Sequence, residues 1–352
     1  MSEFEIRSSR GAYAVTVGVG VAAGLGEIAA AIIDPAVEGI LPLTFDDPVR
    51  VEAKEEGKTL LQCEQVMVGL NARGVRRAST VAAIGGGVIQ DVATLSCSLY
   101  MRGIPWVYVP TTLMAMADSC IGGKSSINAG GVKNLVGNIY PPQKVLVDPL
   151  FVTGLPTRAR VAGIAEAVKI CFARGPEAFE AFVGSDAALD PGPDTATAEL
   201  IELTLRAKKW FVEVDEFDRK ERQLLNFGHS FGHAWEAACG FRVPHGVAVA
   251  IGMLAAQRHP AAARSAMSDE LGRFATALAA QVKDEIVEAA AATDGERFRR
   301  ALKTDKKNTS EHLRLVLPDG DGRLGIVELP LDERQLVIAE EALRSALEDI
   351  AS

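Results

Sequence analysis

Thr80-Val81-Ala82-Ala83-Ile84-Gly85-Gly86-Gly87-Val88-Ile89-Gln90-Asp91 is the stretch on which the fold turns. Its first half is a short run of small and β-branched residues without polar alternation, the pattern of a strand covered on both faces. Three glycines stop it, and a helix-compatible apolar run resumes at Val88. A strand that ends in glycine and reopens as a helix makes the tight turn at which backbone N–H groups approach a pyrophosphate. The run is not the G-x-G-x-x-G fingerprint, so taken alone it is equally well read as a plain glycine turn.

Moving outward, similar runs recur at Tyr13-Ala-Val-Thr-Val17, Trp106-Val-Tyr-Val109 and Val145-Leu-Val147, each closed by Gly, Pro or Asp. Together they predict an α/β, Rossmann-like, nucleotide-binding domain over residues 1–155. After Pro156 the pattern changes. Thr157 to Val183, Ala196 to Val214, His229 to Cys239 and Gly246 to Arg264 read as helices with few strand-like runs between them, so 156–352 is predicted to be a mostly α-helical domain. Gly184 to Asp194, rich in Asp, Ala, Gly and Pro, reads as a loop between helices. No internal repeat interrupts this scheme, and two domains imply a cleft.

The 352 residues, 48% hydrophobic and 24% charged, suit a globular protein with a large core. A net charge of −9 argues against nucleic-acid and membrane-surface partners, so any anion site must be local. Five scattered cysteines, Cys63, Cys97, Cys120, Cys171 and Cys239, suit buried thiols in a reducing compartment. The start Met1-Ser-Glu-Phe-Glu-Ile6 lacks a signal-peptide core, and no run approaches the ~20 apolar residues of a membrane span. The expected location is cytoplasmic.

Three clusters carry chemistry. Pro110-Thr111-Thr112, Asp118 to Lys124 and Lys133-Asn134 concentrate small polar residues, glycines and two lysines between apolar flanks, a loop able to bind an anion through cations and backbone amides together. Glu166 and Lys169 stand three apart on one helical face, for which a surface ion pair is the ordinary reading. In Asn226-Phe-Gly-His229-Ser-Phe-Gly-His233, two histidines lie at i and i+4, and His245 follows, so three of the five histidines fall within seventeen residues. With a carboxylate from elsewhere they suit a divalent metal or acid–base work. Spacing alone leaves open which of His229 and His233 is a ligand.

Taken together and in order, these stretches resemble the dehydroquinate synthases and their sugar phosphate cyclase relatives. The match runs from Gly85-Gly-Gly-Val-Ile-Gln-Asp91 through Tyr100-Met-Arg102-Gly, Pro110-Thr-Thr112, Asp118 to Lys124, Lys133-Asn134, Ala165-Glu166-Ala-Val-Lys169, Leu225 to His233 and His245-Gly246 to Asp305-Lys306-Lys307. The resemblance implies Glu166, His229 and His245 as ligands of zinc or cobalt. It places His233, Lys124, Lys133, Asn134, Asn226 and Lys306 or Lys307 around a leaving phosphate, with Arg102 reaching in from a second subunit of a homodimer. Asp118 and Lys169 would orient reacting hydroxyls. Gly86, Gly87, Asp91, Thr111 and Thr112, with Asp34, Glu55 and Lys58, would hold NAD.

The implied reaction oxidises a sugar hydroxyl transiently, eliminates phosphate, returns the hydride and closes a carbocycle by intramolecular aldol addition. Lys208 and Arg222 match positions that grip a substrate carboxylate, and a buried cation pair is costly without an anion. A 3-deoxy-heptulosonate 7-phosphate, or its 4-amino analogue, is therefore expected over sedoheptulose 7-phosphate. Against the family pattern, the region between Tyr13 and Lys58 is about twenty residues shorter, at the unit after Asp34 that binds adenosine. Gln90 replaces a common glycine, Val247 a common glutamate, and Val132 precedes Lys133. These departures suggest a branch of secondary metabolism rather than aromatic amino acid biosynthesis. An iron-type alcohol dehydrogenase, which needs no phosphate pocket, and a non-catalytic cyclase relative are the competing readings.

Overall fold

A computed structural model describes residues 1–40 and 44–351, and by internal contacts the chain forms two units, Met1–Leu155 with Asp190–Glu216, and Pro156–Leu189 with Phe217–Ser352. The first unit is built on strands β1 (Ser2–Ser8), β2 (Gly11–Val17), β3 (Ala30–Ile33), β4 (Val49–Arg50), β5 (Val81–Gly85) and β6 (Trp106–Pro110). A small hairpin follows, β7 (Ile127–Ala129) with β8 (Val132–Val136), and then β9 (Lys144–Val147). Seven of these form one sheet in the order β1-β2-β9-β6-β5-β3-β4, parallel except for the β1-β2 pair. Val81, Ala82, Ala83, Ile84, Tyr108, Val109, Val145 and Val147 are fully buried, which is why these strands read as uninterrupted apolar runs.

Helix α1 (Leu60–Ala72) precedes β5 and α2 (Gly87–Leu99) follows it. Among the described residues the connections between β2 and β4 hold 3₁₀ turns at Val21–Gly24 and Pro35–Val37, and no α-helix precedes α1.

Beyond Pro156 the chain folds as α3 (Thr157–Arg174), α4 (Pro176–Val183), α5 (Thr195–Val214), α6 (His229–Ala238), α7 (His245–Arg258), α8 (Ala266–Ala280), α9 (Lys283–Ala291) and α10 (Gly295–Lys303). A hairpin β10 (His312–Pro318) and β11 (Leu324–Pro330) follows, then α11 (Glu333–Ala351). Three expectations need amendment. The helix expected over Thr157 to Val183 is two, because Gly175 at φ 126 ends α3 and Pro176 opens α4. The helix expected to reach Arg264 stops at Arg258, since His259 precedes Pro260 and is extended. And α5 packs on β1, β2 and the turn at Ala115–Ser119, so it belongs with the sheet rather than with the helices around it in sequence.

In the second unit α7 is the central rod, buried continuously from Gly246 to Ala256. It touches its neighbours backbone to backbone. A methyl group at Gly246 would lie 2.1 Å from Ala162 O of α3, and one at Gly252 would lie 2.0 Å from Gly228 O at the start of α6. Only glycine allows these approaches, and they bring three helices together at one place. All five cysteines are buried and free; burial pushes the Cys97 and Cys120 thiols up to about 12. No helix among the described residues is long and apolar enough to cross a membrane.

Candidate active site

Where α3, α6 and α7 meet, a carboxylate and three imidazoles converge. His229, His233 and His245 each offer a ring nitrogen within 4.8 Å of the others. Glu166, 1% exposed on α3, points its Oε1 between two of them, 3.6 Å from His229 Nε2 and 3.4 Å from His245 Nε2. That oxygen is buried and accepts no hydrogen bond, a costly condition for a carboxylate. Tetrahedral ligands at bond lengths of about 2.0–2.1 Å stand about 3.4 Å apart, so a divalent ion fits this oxygen and these two nitrogens.

The imidazoles are oriented for it. His229 Nδ1 lies 3.2 Å from Phe227 O, an acceptor only, so the proton sits on Nδ1 and Nε2 presents its lone pair. Burial, with the charge of Lys169, holds its pKa well below the usual histidine range, keeping the ring neutral. His245 Nδ1 meets Glu236 Oε2 at 3.1 Å, which likewise turns Nε2 toward Glu166. Burial pulls the His245 pKa down, but the Glu236 hydrogen bond and the charges of Glu166 and Glu236 leave it raised. Glu236 escaped the sequence reading, although it stands seven residues, two turns, from His229 on the same helix. The other Glu166 oxygen, Oε2, accepts from Lys169 Nζ at 2.5 Å, so the pair read as ordinary surface charge is buried at 2% and 3% side-chain exposure.

Around this centre the remaining expected residues differ in standing. His233 is exposed, with its ring stacked on His245 at 5.2 Å between centroids. Lys307 Nζ bonds Asp305 Oδ2 at 2.7 Å and Ser230 Oγ at 3.4 Å, beside His229, whereas Lys306 is exposed. Lys307 is therefore the better-placed of the two. Asn226 spends its amide on Gln223 O at 3.0 Å, and Arg222, one 3₁₀ turn earlier, is buried.

In the first unit, Asp34, the glycine turn and Thr111-Thr112 lie at the carboxyl ends of β3, β5 and β6, one edge of the parallel sheet. Tyr108 OH donates toward the Gly85 and Gly86 carbonyls at 3.1 and 3.3 Å and fixes the turn. A methyl at Gly86 would strike Thr112 Cγ2 at 2.8 Å, while one at Gly87 would meet nothing within 4 Å. The first turn of α2 has no side-chain cap, which leaves its N–H groups available to an anion such as a pyrophosphate.

Asp91, one turn along α2, accepts from Lys58 Nζ at 3.2 Å and Ser126 N at 3.0 Å. Lys58, 6% exposed, also reaches Asn134 Oδ1 at 2.9 Å and Glu55 Oε1 at 3.3 Å. Asn128 closes the ring by donating to Glu55 and accepting from Asn134 N. Burial raises the Asp91 pKa to about 6 against the lowering pull of Lys58. Asn134, expected at phosphate, thus sits with the residues expected at NAD. Lys133 beside it is exposed, Lys124 is half-buried on a bridge to Ile139, and Arg102 is exposed with a left-handed backbone, φ 67.

Lys208 departs most from expectation. Its Nζ bonds Asp118 O and Asp118 Oδ1, each at 2.5 Å, and Ile121 O at 3.3 Å. An ammonium has three N–H donors, and three oxygens already face this one. As arranged here, Lys208 anchors Asp118.

Comparison with known proteins accords with this geometry. Residues 48–162 match the model of the 3-dehydroquinate synthase N-terminal region, and residues 163–308 match the C-terminal one. The 3-dehydroquinate synthase of Geobacter metallireducens is 34% identical over 91% of this chain and 92% of its own. Among solved structures, a 2-deoxy-scyllo-inosose synthase complexed with carbaglucose-6-phosphate, NAD+ and Co2+ has a TM-score of 0.82 at 22% identity, covering 98% of this chain and 99% of its own. The 2-epi-5-epi-valiolone synthase ValA of Streptomyces hygroscopicus subsp. jinggangensis 5008, with NAD+ and Zn2+ bound, has a TM-score of 0.77 at 25% identity, covering 95% and 97%. With both halves of the family pattern present and the carboxylate and histidines converging as they do, the chain belongs to the 3-dehydroquinate synthase family of phosphate-eliminating sugar cyclases.

Proposed function

We propose that the protein converts a 3-deoxy-heptulosonate 7-phosphate, or its 4-amino analogue, to dehydroquinate or aminodehydroquinate with loss of phosphate, using NAD and a divalent metal such as zinc or cobalt. The observation that carries the reading is the unpartnered Glu166 Oε1 between two histidine nitrogens, which a cation would satisfy. When bound, NAD and metal supply reversible hydride acceptance and polarisation of sugar oxygens. The chain's own residues do the rest. Glu166, His229 and His245 would hold the metal. Lys169, fixed on Glu166, presents a donor to a sugar hydroxyl. Lys307 and His233 supply cationic and hydrogen-bonding groups to phosphate, and Arg222 meets the carboxylate as a planar fork. The uncapped first turn of α2 with Gly87 would take the pyrophosphate, with Asp34, Gly86, Thr111 and Thr112 along the same edge. A homodimer, with Arg102 serving the partner subunit, and a cytoplasmic role in secondary metabolism complete the proposal.

One observation favours a second reading. The Lys208 ammonium faces the oxygens of Asp118 and Ile121, and a neutral sedoheptulose 7-phosphate needs no cation pair for a carboxylate. Phosphate release by cobalt- or zinc-loaded protein with NAD, measured side by side on the heptulosonate phosphate, its amino analogue and sedoheptulose 7-phosphate, decides. Turnover of either acid supports the proposal, and Arg222→Ala should then raise KM for the acid with NAD affinity kept. Turnover of sedoheptulose 7-phosphate alone overturns the substrate while keeping the cyclase chemistry.

A further inference from the structure

Gln90 lies one turn inside α2, 4% exposed, and both ends of its amide are spent on one residue. Its Nε2 donates to Ser119 O at 2.6 Å, and its Oε1 accepts from Ser119 Oγ at 2.6 Å. The opposite amide orientation would set oxygen against the Ser119 carbonyl, so the hydrogen bonds define it. Ser119 closes the π turn Ala115–Ser119, in which Asp118 is the penultimate residue. Lys208 of α5 holds the Asp118 carbonyl and carboxylate, and Tyr13 OH accepts from Gly122 N at 2.9 Å. A π turn is a poorly bonded piece of helix that persists where its surroundings hold it. This one is tied from α2 and α5, the chain just beyond it is tied from β2, and the tie from α2 starts one turn from the glycine edge.

We propose that Gln90 is a positioning residue: its paired hydrogen bonds to Ser119 hold Asp118 in fixed register with the first turn of α2, and turnover depends on that register although Gln90 touches no reacting atom. The inference rests on the reading of Asp118 as a group that orients the sugar. Two substitutions separate the hydrogen bonds from the space the side chain fills. Gln90→Met keeps the volume and removes both bonds. Gln90→Glu keeps the shape but sets a carboxylate against the Ser119 carbonyl; protonated, it can donate to that carbonyl again.

The experiment compares these variants with wild type, each metal-loaded and with NAD, by amide hydrogen exchange over residues 115–122, by NAD affinity and by phosphate release across pH. Expected for Gln90→Met are exchange and turnover changed by about tenfold, faster and slower respectively, with NAD affinity within about threefold. For Gln90→Glu, turnover relative to wild type should climb as pH falls from about 8 to about 6. Unchanged exchange in Gln90→Met, turnover within twofold of wild type, or a Gln90→Glu ratio flat with pH would each overturn the proposal. Should wild type itself release no phosphate from any sugar phosphate, the functional reading fails separately, and the exchange measurement alone then judges whether Gln90 holds the turn.

Discussion

The two units each hold a carboxylate at least half-buried beside a lysine, and they resolve its charge in opposite ways. Asp91 in the first unit is answered from within, by Lys58 and the Ser126 amide, and the ring through Glu55, Asn134 and Asn128 leaves every member bonded. Glu166 in the second is half answered. Lys169 takes one oxygen, and the other lies between two imidazole nitrogens without a hydrogen bond. A network closed on itself is a structural element that a ligand can lean on, whereas one left open has an oxygen that the proposed cation would satisfy.

This contrast can be broken at either side. The largest effect is expected from His229→Ala, which should lose bound metal, by elemental analysis, together with at least about a thousandfold of phosphate release. If metal stayed and activity went, the open centre would be acid–base machinery instead. Lys58→Met should leave the half-buried Asp91 without its cation and cost about 2–3 kcal/mol in urea unfolding followed through the buried Trp106. A loss under about 1 kcal/mol would mean the first network is not closed in the sense described here.

The pH dependence sharpens the contrast. Because the folded-state pKa of Asp91, about 6, lies above its unfolded value, the folded protein binds the extra proton between them, and the associated stability is full below pH 4 and lost as pH rises through 6. The stability of wild type relative to Asp91→Asn should therefore decline over that window by up to about 3 kcal/mol. A flat difference would show that Lys58 cancels the burial completely. Smallest is Glu236→Gln, which keeps a hydrogen-bond acceptor for His245 but removes charge; cobalt affinity by calorimetry should weaken about tenfold, with the fold unchanged.

Much of this was legible in the chain. The strands at Val81, Trp106 and Lys144 announce themselves because burial on both faces excludes polar residues. The histidine spacing by itself puts His229 and His233 one helical turn apart, with His245 close enough in sequence to join them. The misses have physical causes. Ser2–Ser8 is an edge strand whose alternating Phe4 and Ile6 are easily taken for a charged terminus, and the β10-β11 hairpin hides its period of two inside a helical neighbourhood. The allegiance of α5 and the engagement of Lys208 by Asp118, ninety positions away, are tertiary facts that no local pattern encodes. Glu166 and Lys169 show the same limit: a spacing of three on a helix says that two charges meet, and only packing says that they meet in the dry interior.

The detour of α5 also bears on how the protein is made. The sheet unit is complete only when Asp190–Glu216 joins it, so a chain emerging from the ribosome must carry an unfinished sheet while the thirty-four residues from Pro156 to Leu189 are still being added. Until α5 arrives, the faces of β1 and β2 that it covers have no lid. Vectorial synthesis thus couples the two halves in time even though each has its own core. A nascent chain arrested before Asp190 is expected to need chaperone protection that one arrested after Glu216 does not.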